Sequence, residues 1–311
     1  MSQRIEKGCV NEQLFLRPQQ YYKQARQAFG AVLDSLGMDE NKKILVPAYI
    51  GWSAREGSGV FDPIRERGIQ PVFYHMNRNL EIDKDDCIAK IVDSGAKVLL
   101  VIHYFGFVDS AAKEIISVAK EKGMVVIEDA AHGLYTDKIG GACGRDGDYT
   151  LYSLHKMLPL SDGGILVSNG KPLPEINATV SYDIEGYDFK AISNIRVRNY
   201  RVIADALNKT AIKGVTLLRS ELEDGIVPQT LPVVINGSDR DLIYAKMNDL
   251  GWGIVSLYHT MIEELKMSDF EDELWLSKHI TNLPVHQDLD ISLINEMVND
   301  FARVVKECTI R

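Results

Sequence analysis

The stretch Val125-Val126-Ile127-Glu128-Asp129-Ala130-Ala131-His132, followed by Tyr152-Ser153-Leu154-His155-Lys156 and then by Asp162-Gly163-Gly164, sets the frame for the whole chain. Its apolar start is hydrophobic on both alternating faces, as in a strand buried on both sides. A sheet with two buried faces needs helices over each of them. The run ends in two carboxylates, so it carries charge to the sheet edge where ligands of open α/β folds bind.

Outward from that strand, short apolar β-branched runs alternate with helical patterns between residues 43 and 169. Strands are expected at 44–46, 71–74, 97–103, 124–127, 149–153 and 164–168. Residues 21–36 carry Ala25, Ala28, Phe29, Val32, Leu33 and Leu36 at helical steps with Gly37 as the stop, and 110–122 repeats the pattern through Ile115, Ile116 and Ala119 up to Gly123. Both fit crossover helices of a parallel or mixed sheet in an α/β fold. After Asn169 the pattern changes at Gly170-Lys171-Pro172-Leu173-Pro174. A helix near 199–209, a strand at 231–235, a helix at 240–250, a strand at 254–257 and a closing helix at 292–306 then make a small α+β domain. The expected division is a large α/β domain over 1–195 and a small domain over 196–311.

Composition excludes several classes. The chain has 311 residues, 45% hydrophobic and 25% charged, the balance of a globular protein. Its longest apolar runs, such as Val98-Leu99-Leu100-Val101-Ile102, are too short to cross a bilayer, and Met1-Ser2-Gln3-Arg4 opens no apolar signal core, so no membrane partner and a cytoplasmic location are expected. A net charge of -9 argues against nucleic acid as a partner, because that binding needs clustered Lys and Arg. Cys9, Cys87, Cys143 and Cys308 are scattered, with no C-x-x-C pair, and the seven histidines show no ligand spacing, so neither a disulfide framework nor a metal site is expected. No strand is followed by G-x-G-x-x-G, and no P-loop, G-x-S-x-G or H-E-x-x-H occurs.

Two residues remain for chemistry. Asp129 at the strand end faces either a ligand or only the next turn, which an aspartate there would cap. Lys156 sits before Met157-Leu158-Pro159-Leu160, either sheltered, with an amine made nucleophilic by burial, or snorkelling to the surface. Together, a strand-end carboxylate and a sheltered lysine are the minimum equipment for holding pyridoxal phosphate (PLP).

With these residues quoted, the chain resembles the DegT/StrS-type sugar aminotransferases, fold-type I PLP enzymes. The likeness runs from Phe15 to Val305 and is most specific between Val126 and Asn169. Val46-Pro47-Ala48-Tyr49, His103-Tyr104-Phe105-Gly106 and Leu283-Pro284-Val285-His286 match further landmarks. The resemblance implies a mixed, mostly parallel sheet with helices on both faces and a small C-terminal α+β domain. It implies that Asp129 pairs with the pyridine nitrogen, that His132 lies by the cofactor's phenolic oxygen, that Lys156 is the Schiff-base lysine and that Ser153 binds the phosphate. Trp52, in preference to Tyr49, takes the place of the stacking aromatic. The phosphate turn at the start of an early helix falls on Gln24-Ala25-Arg26, where relatives commonly carry a glycine; this departure leaves Arg26 as a charge partner and Ala25 as an unusual contact.

The activity implied is transfer of an amino group, with glutamate as donor, onto a keto sugar, nucleotide-linked or free, by a homodimer. Two alternatives accompany it. Relatives that carry histidine in place of the lysine are sugar dehydratases, and His155 neighbours Lys156, although the seven-residue step from Lys156 to Gly163 aligns the lysine. The altered Ala25 turn also suits a catalytically retired homologue acting as a binding or regulatory module.

Overall fold

The computed structural model describes residues 17–176 and 180–310. Met1-Ser2-Gln3-Arg4, Cys9 and Phe15, used above, lie outside these residues. Seven strands form the main sheet: β1 (Gln19–Tyr22), β2 (Lys43–Pro47), β3 (Gln70–Tyr74), β4 (Val98–Ile102), β5 (Val125–Asp129), β6 (Tyr149–Ser153) and β7 (Gly164–Ser168). Their order is β1-β7-β6-β5-β4-β2-β3. From β3 across β2, β4 and β5 to β6 all pairs are parallel, while β7 runs antiparallel to both β6 and β1. Strands β4, β6 and β7 are buried at every residue; β4 accordingly reads as an unbroken apolar run, while β6 carries Thr150 and Ser153 and β7 ends in Ser168.

This topology sends chemistry to one edge. The carboxyl ends of β2, β4, β5 and β6 lie there together, and antiparallel β7 begins there. Strand β1 ends there too and turns directly into helix α1 (Ala25–Ser35). The helix expected over 21–36 thus begins four residues late. Tyr21 and Tyr22 pair with Ile165 and Gly164 instead, since an open sheet edge has unmet backbone hydrogen bonds that local helical periodicity does not register.

Helices α2 (Phe61–Glu66), α3 (Lys84–Asp93), α4 (Ala112–Glu121) and α5 (Leu134–Lys138) follow in the main unit. Helix α6 (Phe189–Thr210) runs through residues 195 and 196 and leads to a second, antiparallel sheet of β8 (Val215–Leu217), β9 (Thr230–Ile235) and β10 (Ile280–Pro284), in the order β10-β9-β8. Helices α7 (Arg240–Asp249), α8 (Glu271–His279) and α9 (Ile294–Glu307) complete the described chain. Helix α9 buries Ile294, Met297, Val298, Phe301, Val304 and Val305, one stripe at three- and four-residue steps, against Leu231, Val233 and Ile235 of β9. Each such fully buried aliphatic or aromatic side chain stabilises the fold by roughly 1.5–3 kcal/mol.

The strand expected at 254–257 is absent: Val255 makes only an isolated bridge to Asn282 of β10, while β9 pairs with β10 and β8. Gly251 and Gly253, both at positive φ, turn the chain just before this single point of pairing. Cys87, Cys143 and Cys308 are free and buried, and burial pushes the Cys87 thiol up to about 12, so it stays protonated.

Candidate active site

A cavity of about 590 Å³ opens at the carboxyl edge of the main sheet. Ala25, Arg26, Trp52, Asp129, His132, Ser153 and Lys156 all line it, so the tertiary fold brings every site residue read from the sequence to one place.

Asp129 ends β5 and is partly buried. Its Oδ1 accepts the Ala131 N–H at 2.9 Å, so the turn-capping role and the cavity-facing role coexist in one carboxylate. Burial raises its pKa, opposed by the positive charge of Lys156, the Ala131 N–H and His103. Glu128, on the other side of the strand, is buried and accepts from His103 Nε2 at 2.7 Å and from the backbone N–H groups of Asp146 and Gly147. The strand's alternation therefore separates a structural carboxylate from one that faces the cavity.

Lys156 closes the short turn Leu154–Lys156 after β6. Met157 and Leu158 are buried, and Lys156, exposed as a residue where it lines the cavity, keeps its amine in desolvated surroundings, as its apolar neighbours predict. Dense protein around the amine lowers its pKa by desolvation, while Asp129 and Glu56 pull it up and Arg26 pushes it down. The apolar residues after Lys156 anchor the turn. His155, also exposed, lines the same cavity with its Nδ1 3.4 Å from Ser153 Oγ.

His132 is 2% exposed, and burial, then the charge of Lys156, holds its pKa well below the ordinary value. Its Nε2 is buried with no hydrogen-bond partner in the protein. A buried polar nitrogen without a partner costs about 1–3 kcal/mol, so the cavity has a place for a ligand atom that hydrogen-bonds there.

At the other end of the cavity lies the start of α1. Gln24, at its N-cap, makes no side-chain hydrogen bond, whereas Asp83, Asp188 and Asp239 cap α3, α6 and α7. The N–H groups of Gln27 and Ala28 turn back to the Gln24 carbonyl, while those of Ala25 and Arg26 have no main-chain acceptor among the described residues, at an uncapped, positive helix end. Ala25 has no positive φ, so alanine costs nothing in backbone strain here. The close approach is made by Gly164 instead: a Cβ there would lie 2.5 Å from the Ala25 nitrogen, while neighbouring Gly163 has φ +119°. Buried Ser153 lines the cavity nearby, and Arg26 holds the Glu56 carbonyl at 2.7 Å and Asp62 at 3.6 Å.

Trp52 is 41% exposed and lines the cavity, whereas Tyr49 is wholly buried behind it. Ser256, Tyr258 and His259 line the opposite wall and were not read from the sequence. Their segment is stapled to the loop after β2, with Trp52 N–H donating to the Thr260 carbonyl and Ile262 N–H to the Ile50 carbonyl. Tyr258 sits at φ +60° against the rings of Tyr49, Tyr104 and Phe105. A tyrosine in that conformation carries no sequence signal, because the turn is imposed by the packing.

The profile of the DegT/DnrJ/EryC1/StrS aminotransferase family matches residues 24–183. A dTDP-4-dehydro-2,3,6-trideoxy-D-glucose 4-aminotransferase of Saccharopolyspora spinosa is 24% identical over 294 residues, covering 78% of this chain and 74% of its own. A GDP-perosamine synthase of Escherichia coli O157:H7 is 23% identical over 52% of this chain and 46% of its own length. A putative sugar aminotransferase of Streptococcus pneumoniae, solved in its PLP form, superposes with a TM-score of 0.72 at 16% identity over 96% of this chain and 91% of its own, a likeness of fold.

Proposed function

The chain belongs to the DegT/DnrJ/EryC1/StrS aminotransferase family, and from that membership we propose that it moves an amino group from glutamate to a keto sugar, nucleotide-linked or free. Its cofactor is pyridoxal phosphate, which, when bound, withdraws electrons from the carbon whose proton is lost.

In this reading Lys156 would hold the cofactor through its amine, and its Nζ would carry the proton at the reacting carbon. The lowered pKa of the lysine keeps more of the amine neutral and ready for either task. Asp129 holds the proton on the pyridine nitrogen; that positive neighbour offsets the burial which otherwise raises the carboxyl group's pKa. His132 Nε2 meets the ring oxygen, and Trp52 covers a ring face. The N–H groups of Ala25 and Arg26, with Ser153, hold the phosphate, which suits an uncapped helix end better than any side-chain acceptor.

The supporting observation is that one cavity collects a carboxylate at a strand end, an exposed lysine coupled to it and a buried, unpartnered histidine nitrogen. The large and small domains, divided near residue 196, would each contribute a wall. A second copy of the chain over the exposed Trp52 side, in a homodimer, completes the picture. No described helix is long and apolar enough to cross a membrane, and a cytoplasmic enzyme is part of the same proposal.

The test is spectroscopic and chemical. Adding PLP to the purified chain should produce a visible band that glutamate bleaches, and borohydride followed by peptide mass analysis should mark Lys156. A chain that binds PLP without bleaching by any amino acid would be a retired homologue; one with no band, and no mark on Lys156, would sink the reading.

A further inference from the structure

We infer that the turn His103–Gly106 is a positioning element that fixes the tautomer of His132, making its Nε2–H an obligatory donor toward the cavity. The main-chain N–H of Phe105 points at His132 Nδ1 at 3.2 Å. A backbone amide can only donate, so Nδ1 must be the unprotonated nitrogen. The neutral ring then has its one proton on Nε2, the atom that is buried without a partner. His132 is therefore built to offer a hydrogen bond to an acceptor oxygen in the cavity and has no lone pair there to serve as a base. Its strongly lowered pKa keeps the ring in this neutral form.

The turn is held in place from several sides. Phe105 adopts φ 56°, ψ 17°, a left-handed conformation unusual for an aromatic residue, and its ring lies parallel to His132, 6° between planes and 6.1 Å between centroids. Gly106 follows at φ +90°, and a Cβ on it would lie 2.8 Å from the Val227 carbonyl oxygen and 2.9 Å from that of His132. Only glycine lets the turn pass that close to the histidine's own backbone. The Phe105 carbonyl accepts the Gln229 N–H at 2.8 Å, so the segment entering β9 pins the turn from the small-sheet side. On the main-sheet side His103 is anchored twice, through Nε2 to Glu128 at 2.7 Å and through its N–H to the Asp129 carbonyl at 2.9 Å. A strained backbone held by contacts on both sides is how a tautomer is kept from relaxing. His103, Phe105 and Gly106 act through His132 and are positioning residues.

The inference concerns the ring oxygen site of the proposed cofactor and so rests on that reading for its purpose, but its test does not. Nitrogen NMR of the cofactor-free protein labelled in its seven histidines, with His132→Gln to identify the signal, reads the tautomer directly. The expected result at neutral pH is a protonated Nε2 and an unprotonated Nδ1; a protonated Nδ1 or a doubly protonated ring overturns it. Phe105→Gly keeps both the amide and the left-handed backbone while deleting the ring, and should leave the tautomer unchanged; a switch would mean that ring stacking, and not the amide, sets it. In PLP titrations His132→Gln, whose amide also donates, should bind within a few-fold of the parent chain, and His132→Leu roughly tenfold more weakly. Equal affinity of all three with the expected tautomer would leave the proposed function standing and remove the donor role; no binding by any of them would fail the function and leave the tautomer result intact.

Discussion

The two ends of the cavity are built from different materials. At the end proposed for the cofactor ring, Asp129, His132 and Lys156 would act through side-chain atoms whose charge and protonation depend on burial and on each other. At the end where we propose that the phosphate binds, α1 starts without a side-chain cap, so main-chain N–H groups would be the donors, and Gly164 lets β7 pass close to the Ala25 nitrogen. Side-chain chemistry tolerates little replacement, whereas a backbone site tolerates any side chain that leaves the backbone where it is. The alanine at residue 25, where the resemblance implies a glycine, costs nothing in backbone strain, and the close approach that favours glycine is at Gly164 of β7.

That contrast can be broken experimentally. Lys156→Ala should reduce amino transfer at least about a thousandfold and abolish the visible band, since anchoring and proton transfer are lost together; steady-state rates and absorbance check it, and retained turnover would move the chemistry elsewhere. Asp129→Asn should lower kcat by about a hundredfold, as loss of a preorganised charge commonly does, while the amide oxygen still caps Ala131.

The same Asp129→Asn variant should make the cofactor-free protein more heat-stable at neutral pH. Burial raises the Asp129 pKa above its unfolded value, so the folded state binds the proton more tightly and loses stability as pH rises from the unfolded value of about 3.9 through the folded one. The variant's gain in thermal midpoint should thus disappear below that lower bound. A gain independent of pH would show that the carboxylate is not strained by burial.

Smaller effects belong to the phosphate end. Gly164→Ala should cost about 1–3 kcal/mol in denaturant unfolding, because the added methyl meets Ala25 backbone, and should weaken PLP more than phosphate-free pyridoxal. Smallest of all, Ala25→Gly should change stability by no more than about 1 kcal/mol and leave PLP affinity nearly unaltered, the helix start needing no special φ. A large gain in affinity from Ala25→Gly would show that the alanine blocks the phosphate and that the two ends do not differ in kind.

Much of the main sheet was legible because its central strands are buried and rich in apolar, aromatic and β-branched residues; β6 and β7 match their expected bounds residue for residue. Strand β1 was not, because Tyr21 and Tyr22 pair with β7 only once the sheet edge exists. In the site, the order of Asp129, Ser153, Lys156 and Gly163-Gly164 was visible, and the fold collects Asp129, Ser153 and Lys156 around one cavity. The wall of Ser256, Tyr258 and His259 was not, since it depends on how a distant segment packs.

By itself the sequence determined which residues carry charge and nucleophilicity and that a strand ends in the carboxylates, because periodicity and residue type are local properties of the chain. Only the tertiary structure decided that Glu128 is a buried support and Asp129 faces the cavity, that Gly164 packs without a side chain against the Ala25 backbone, and that His132 meets the Phe105 amide. Those outcomes depend on which backbone groups from remote segments come within hydrogen-bonding or van der Waals distance, and local pattern does not encode that.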